Sequence, residues 1–270
     1  MIAQLIEGLP WADYAVEGWL GSSALHAFPG MSLEGFAAEY LVTAYDDNSK
    51  TKATAAMTNG TELDKMLTAG VYDRTGIEIR TKAIDYRTKD GKAWRDERLA
   101  AGKTIIHEDD IKALDATLPR VREVLACYSD APKFQVTLRG EIAGLQVQTR
   151  PDIVIGNRIP DLKYINSDAF DKFDRQFPSS RYVFQAGLAF GLGRETGIDD
   201  PCPSFLLAES GTIHPRIHVV ELSEDDALWC WRKTVKRVEE IAAAINSDLG
   251  MIDQVKFRPL MLPAWARNED

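Results

Sequence analysis

The chain has 270 residues, 45% apolar and 27% charged, long enough to bury a full core and ordinary in composition for a globular protein. No apolar run approaches the roughly 18 residues that a membrane-spanning helix needs. The net charge of −9 lacks the basic excess of most nucleic-acid binders and argues against tight, non-specific duplex binding by one copy. It leaves room for a local basic groove, or for a few lysines gathered in the hole of a ring-shaped oligomer.

The segment Met1 to Glu7 carries neither a basic flank nor a long apolar stretch, so no signal peptide is expected. Cys127, Cys202 and Cys230 are odd in number and far apart. They read as reduced thiols in a cytoplasmic protein, and they leave no four-cysteine set for zinc or an iron–sulfur cluster. Residues 1–30, with Trp11, Trp19, Gly21, Pro29 and Gly30, predict an irregular arm with short helices. Ser32 is placed to cap a helix through about Tyr45, and residues 46–54 read as a polar loop. From Met57 to Ala69, the stripe of Leu63, Met66 and Leu67 predicts a helix ended by Gly70. Ile77 to Thr81 alternates like a strand. Residues 85–103 are densely charged and read as either a solvated surface segment or a substrate-contacting loop.

Glu108 to Cys127 is amphipathic, with Ile111, Leu114, Leu118, Val121 and Leu125 on one side and Pro119 expected to kink or divide it. Strands are predicted at about 134–139, 144–149, 152–155 and 159–164. A helix starts at Asp168, and a second runs from Ser180 to Gly193. Strands follow near 203–209 and 215–221, and Ser223 caps a long helix through Ile245. The tail at 250–270, with Pro259 and Pro263, is expected to be extended. With no repeat or low-complexity linker, residues 1–270 read as one domain, and the element order is that of an α/β protein.

The chemistry concentrates between Arg150 and Lys163. Two short apolar strands flank a turn at Gly156-Asn157, and on the second Asp161 and Lys163 share a face while Leu162 points to the core. A hairpin returns Asp152 beside them. Two carboxylates and an ammonium at a sheet edge suit a hard cation such as Mg²⁺, with the lysine placed to act on a phosphate or an attacking water. The plainer alternative is a surface hairpin with a cross-strand ion pair, although charge inside a strand is costly unless paired or metal-bound. Tyr182 and Gln185, three apart on the next predicted helix, share a face that can reach this point. Arg150 shares strand parity with Asp152 and reads as a phosphate contact or a carboxylate partner. Glu141 reads as a solvated turn residue or a metal ligand. The four histidines show no ligand spacing, and no phosphate-binding loop, dinucleotide fingerprint or nucleophile elbow is present.

These residues resemble the pattern of the PD-(D/E)XK nucleases, and within them the RecE-like exonucleases (exonuclease VIII) and the related RecB and λ exonuclease nuclease domains. The family's "RPD … DxK … Y-x-x-Q" is met by Arg150-Pro151-Asp152, by Asp161-Leu162-Lys163, and by Tyr182 with Gln185. Residues 166–173 are similar to the linking helix, and Gly60 to Asp64 to a "G-x-x-x-H" helix motif. The resemblance implies a restriction-endonuclease-like α/β core, a central mixed β-sheet flanked by helices. It implies Asp152, Asp161 and the Leu162 carbonyl as ligands of Mg²⁺, with Mn²⁺ as a substitute, and no iron–sulfur cluster. Lys163 would position or activate the attacking water and offset charge in the transition state, Gln185 with Tyr182 would orient the DNA end or the hydrated metal, and Arg150 would contact DNA. Asp64 stands where the family often has histidine, as a further ligand, and Tyr164 where threonine is usual. The implied activity is hydrolysis of double-stranded DNA from its ends, 5′→3′, in phage-type recombination. A ring-like homo-oligomer and a single-strand annealing partner would accompany it, and no membrane. An endonuclease of the same fold, for restriction or repair, and a catalytically silent DNA-binding scaffold are the alternatives.

Overall fold

The structure, a computed structural model, describes residues 3–15, 18–41, 55–68 and 74–247. The predicted loop at 46–54, the far end of the Ser32 helix, Gly70 and the extended tail lie outside the described residues. The chain opens with β1 (Gln4–Ile6), α1 (Trp11–Tyr14), α2 (Ser22–Ala27), α3 (Leu33–Phe36) and α4 (Ala55–Thr68). It continues through β2 (Ile77–Arg80), α5 (Lys89–Ala100), β3 (Thr104–His107) and α6 (Glu108–Leu125). Then come β4 (Lys133–Phe134), β5 (Thr137–Ile142), β6 (Leu145–Thr149), β7 (Ile153–Val154) and β8 (Arg158–Ile165). The last third holds α7 (Ser167–Gln176), α8 (Tyr182–Glu195), β9 (Cys202–Glu209), β10 (Ile217–Glu221) and α9 (Glu224–Asn246).

The architecture is α/β. One sheet has the order β10-β9-β8, with β8 and β9 parallel and β10 antiparallel. A second, antiparallel throughout, has the order β1-β5-β6. Period-two alternation on β8 and β9 sends side chains into two different cores. Leu162, Tyr164, Leu206 and Ala208 pack against Leu63 and Met66 of α4 and Leu114, Leu118 and Val121 of α6. Phe205 and Leu207 pack on the opposite side with Phe170 and Phe173 of α7 and Val183 of α8. A third cluster joins Leu188 and Leu192 of α8 and Val238 and Ile241 of α9 to Leu138 and Val147. No described helix is long and apolar enough to cross a membrane.

Three expectations need correction. Residues 85–103 hold a regular helix: Thr88 caps α5 by accepting the Gly91 N–H at 3.0 Å, and β3 follows as the parallel partner of β2. The predicted strand at 134–139 is split, because Gln135 has φ +52° and turns the chain between β4 and β5. Pro119 does not divide α6, which runs unbroken through it. Its ring lies on the exposed side, so the carbonyl it leaves without an N–H partner faces water while the buried face holds the helix in place. The N-terminal arm is irregular as expected, yet β1 ties it to the sheet as an edge strand of β5.

Candidate active site

The hairpin forms where turn chemistry allows it: Gly156 adopts φ +57°, and Ile155 and Arg158 exchange both backbone hydrogen bonds at 2.9 Å. This returns β8 beside Asp152, whose Oδ2 accepts the Leu162 N–H at 2.8 Å. In a strand the N–H and C=O of one residue point to the same side, so the Leu162 carbonyl also faces the Asp152 side, away from β9. Pro160 shares that parity, so its missing N–H costs the β8–β9 ladder nothing.

Asp161 and Lys163 share the other face of β8, as their spacing requires. Asp161 is only 5% exposed, and its Oδ2 accepts from the Lys163 ammonium. Its Oδ1 accepts Gln185 Nε2 at 2.5 Å, so α8 delivers Gln185 to this point as its face predicted. Tyr182, one turn earlier, lies under Lys163, with the ammonium 5.1 Å from its ring centroid. That ring also stacks on Phe173 at 5.6 Å, which makes it the solvent-side wall of the aromatic core. Burial above all, with the nearby Arg181 charge, holds the Lys163 ammonium down at about 8 against the opposing pull of Asp152 and Asp64.

Asp64 comes from α4, which approaches β8 closely through Gly60, opposite Tyr164. Burial, and then the charge of Asp152, raise the Asp64 carboxyl to about 7. Burial also raises Asp152, against the opposing effects of Lys163 and the Leu162 N–H. The two acids therefore disfavour each other's charge in a desolvated place. Arg150 lies within electrostatic reach of both. Its Nη2 donates to the Leu9 carbonyl at 2.8 Å, and its guanidinium faces Tyr14 at 5.4 Å. Its Nε and Nη1 are buried and have no hydrogen-bond partner.

Sequence reasoning missed Gln135 and Arg181. Gln135 donates its Nε2 to Asp64 Oδ2 at 2.7 Å and its backbone N–H to the Asp152 carbonyl at 2.9 Å, linking the two acids from one residue. Nothing local marked it, because its left-handed backbone is a tertiary feature. Arg181 immediately precedes α8 and is exposed; only its distance in sequence from Lys163 hid it. Glu141 is exposed on β5, opposite Gln146 of β6.

Among the described residues, no three histidine, cysteine or carboxylate side chains converge tightly enough to hold a metal as arranged. Asp161 is engaged by Lys163 and Gln185, which leaves Asp64 and Asp152 as the repelling pair. The chemistry of the donors nevertheless fits a hard cation. Two desolvated carboxylates and the Leu162 carbonyl offer oxygen only, and a positive charge between the acids would relieve their mutual cost.

No protein-family model matches the chain, and neither does any curated protein. Among solved structures, a candidate exonuclease from Eubacterium rectale aligns over 95% of this chain and 96% of its own, at 15% identity and a TM-score of 0.59. The two share a fold. A second structure, SSO0001, aligns over 72% of this chain and 95% of its own at 12% identity, with a TM-score of 0.27.

Proposed function

We propose that the chain is a metal-dependent deoxyribonuclease that hydrolyses DNA phosphodiester bonds from duplex ends. The observation that carries this reading is the convergence of Asp64, Asp152, Asp161, Lys163 and Gln185 from α4, the β7–β8 hairpin and α8. The fold shared with a candidate exonuclease supports it. Asp64, Asp152 and the Leu162 carbonyl would hold Mg²⁺ or Mn²⁺, with Asp161 joining when its carboxylate turns from Lys163. A divalent cation bound there would polarise the phosphodiester and lower the pKa of the attacking water.

The remaining work falls to side chains. Lys163, with a pKa near 8, is mostly protonated at neutral pH and offsets the negative charge that grows on the phosphorus oxygens during in-line attack. Gln185 fixes the rotamer of Asp161 by hydrogen bonding to Oδ1. Tyr182 supports Lys163 from below. Arg150 offers two buried donors without partners, each costing about 1–3 kcal/mol while unmade. Phosphate oxygens would accept from these donors in charge-assisted hydrogen bonds. Digestion from 5′ ends, a ring-like homo-oligomer and a single-strand annealing partner complete the proposal for phage-type recombination.

The test compares linear duplex with covalently closed circular DNA in Mg²⁺. The exonuclease reading expects the linear form to shorten and the circle to survive. Cutting of the closed circle would point to an endonuclease on the same fold, and no cutting of either would leave a catalytically silent DNA-binding protein.

A further inference from the structure

Residues 80–103 hold eight basic and four acidic side chains, in a chain whose net charge is −9. The structure folds this segment around α5, whose only buried residue is Gly91. There a β-carbon would sit 2.0 Å from the Asp85 carbonyl, so glycine lets the helix start dock on the preceding turn. Lys89, Lys92 and Arg95 are spaced three apart on α5, each step turning only about 60° back around the helix, so they form a short ridge that rises about 9 Å along the axis. Arg98 has turned to the face opposite Lys89.

The arginines here are arranged on aromatic rings. Tyr86 and Trp94 stack with centroids 6.4 Å apart. The Arg80 guanidinium lies 4.7 Å and that of Arg95 5.6 Å from the Tyr86 centroid, and Arg98 lies 5.6 Å from that of Trp94. A ring holds a guanidinium in place without consuming its N–H donors. Among the described residues Arg80, Lys89 and Lys92 make no ion pair, and both lysines are exposed. Arg95 and Arg98 do pair with Asp96, Glu97 and Glu78, but these are surface pairs on the same helix and strand, weak enough to yield to a stronger anion. The ridge is joined to the candidate site through one intervening strand: α5 packs on β3, and β3 packs on α4, the helix that carries Asp64.

We propose that the α5 ridge is a second nucleic-acid contact, which grips the phosphate backbone of a DNA strand outside the cleavage site through Arg80, Lys89, Lys92 and Arg95. This rests on the nuclease reading for its substrate class. A ridge of cations about 9 Å long spans about three phosphates of one strand. Because the contact is to phosphates, it is independent of sequence and sensitive to salt. It also reconciles DNA binding with an acidic chain, since the favourable field is confined to one helix.

The experiment is fluorescence anisotropy of labelled 20-nucleotide single-stranded and 20-base-pair duplex DNA, in EDTA, between 50 and 200 mM KCl. The proteins are wild type, K89A/K92A/R95A, and the charge-keeping K89R/K92R/R95K. Circular dichroism melting checks folding, and hydrolysis of a small nitrophenyl phosphodiester checks the cleavage site. The alanine protein is expected to bind at least about tenfold more weakly at 100 mM KCl, with the slope of log affinity against log salt reduced by about 2. The charge-keeping protein should bind like wild type, and small-diester hydrolysis should be unchanged in both. The arm with the larger loss shows whether the ridge holds single strand or duplex. If the alanine protein is folded and binds DNA with unchanged affinity and slope while wild type still cleaves DNA, the ridge proposal fails and the nuclease reading stands. If wild type binds through the ridge but cleaves nothing in Mg²⁺, the reverse holds.

Discussion

With its carboxyl near 7, Asp64 in the metal-free protein is about half protonated at neutral pH, because burial and Asp152 both disfavour its charge. Its folded value lies above the unfolded value of 3.8, so the native state binds this proton more tightly than the unfolded chain does. The stability it contributes is complete below the unfolded value and is lost as pH rises through about 7. Asp64→Asn removes the charge, so in EDTA it should melt above wild type at pH 8, with the gap closing by pH 4. A gap that is constant or reversed would contradict the assignment. With Mg²⁺ the sign inverts: wild type should gain melting temperature from the ion, and Asp64→Asn should gain little. Gln135 extends the same logic to a neighbour. Gln135→Ala loses the bond to Asp64 Oδ2 and should weaken Mn²⁺ binding several-fold by calorimetry, on the scale of about 1 kcal/mol for a net hydrogen bond. Gln135→Gly loses it too, yet relieves a left-handed backbone at φ +52° and should melt above the alanine variant.

At the scale of elements, the position of Gln185 depends on how closely α8 lies against α9. A β-carbon at Gly187 would sit 2.1 Å from Thr234 Oγ1 and 2.6 Å from the Cys230 carbonyl, and one at Gly191 would strike the Trp231 ring. Gly187→Ala is therefore expected to destabilise the protein by about 1–3 kcal/mol in chemical denaturation and to reduce activity by shifting α8. Unchanged stability would mean that the helices are not in this contact. The same element shows what the sequence could reveal. Gln185 was legible because i, i+3 spacing fixes a helix face, and Asp161 with Lys163 because strand parity fixes theirs. The hairpin was legible from Gly156-Asn157. The α5–β3 unit was not, since β2 and β3 pair in parallel across a 23-residue gap and α5 buries almost nothing that a hydrophobic pattern could show. Gln135 was hidden for a related reason: its break in the strand is imposed by contacts to Asp64 and Asp152 and carries no glycine to announce it.

At the scale of the molecule, the proposed function asks an acidic chain to hold a polyanion. The site answers with Arg150, Lys163 and Arg181 around its carboxylates, and any cation bound by Asp64 and Asp152 would add to them. The shared fold with a candidate exonuclease runs along nearly the whole of both chains. The most direct measurement is a Mg²⁺-titrated digestion of linear duplexes labelled at either the 5′ or the 3′ end, by wild type and Lys163→Ala. The account predicts release that requires Mg²⁺, early release of the 5′ label as mononucleotide, and loss of activity by at least about 100-fold in the variant, in line with removal of a charge-stabilising group. No Mg²⁺-dependent release by wild type, or equal release by Lys163→Ala, would contradict it.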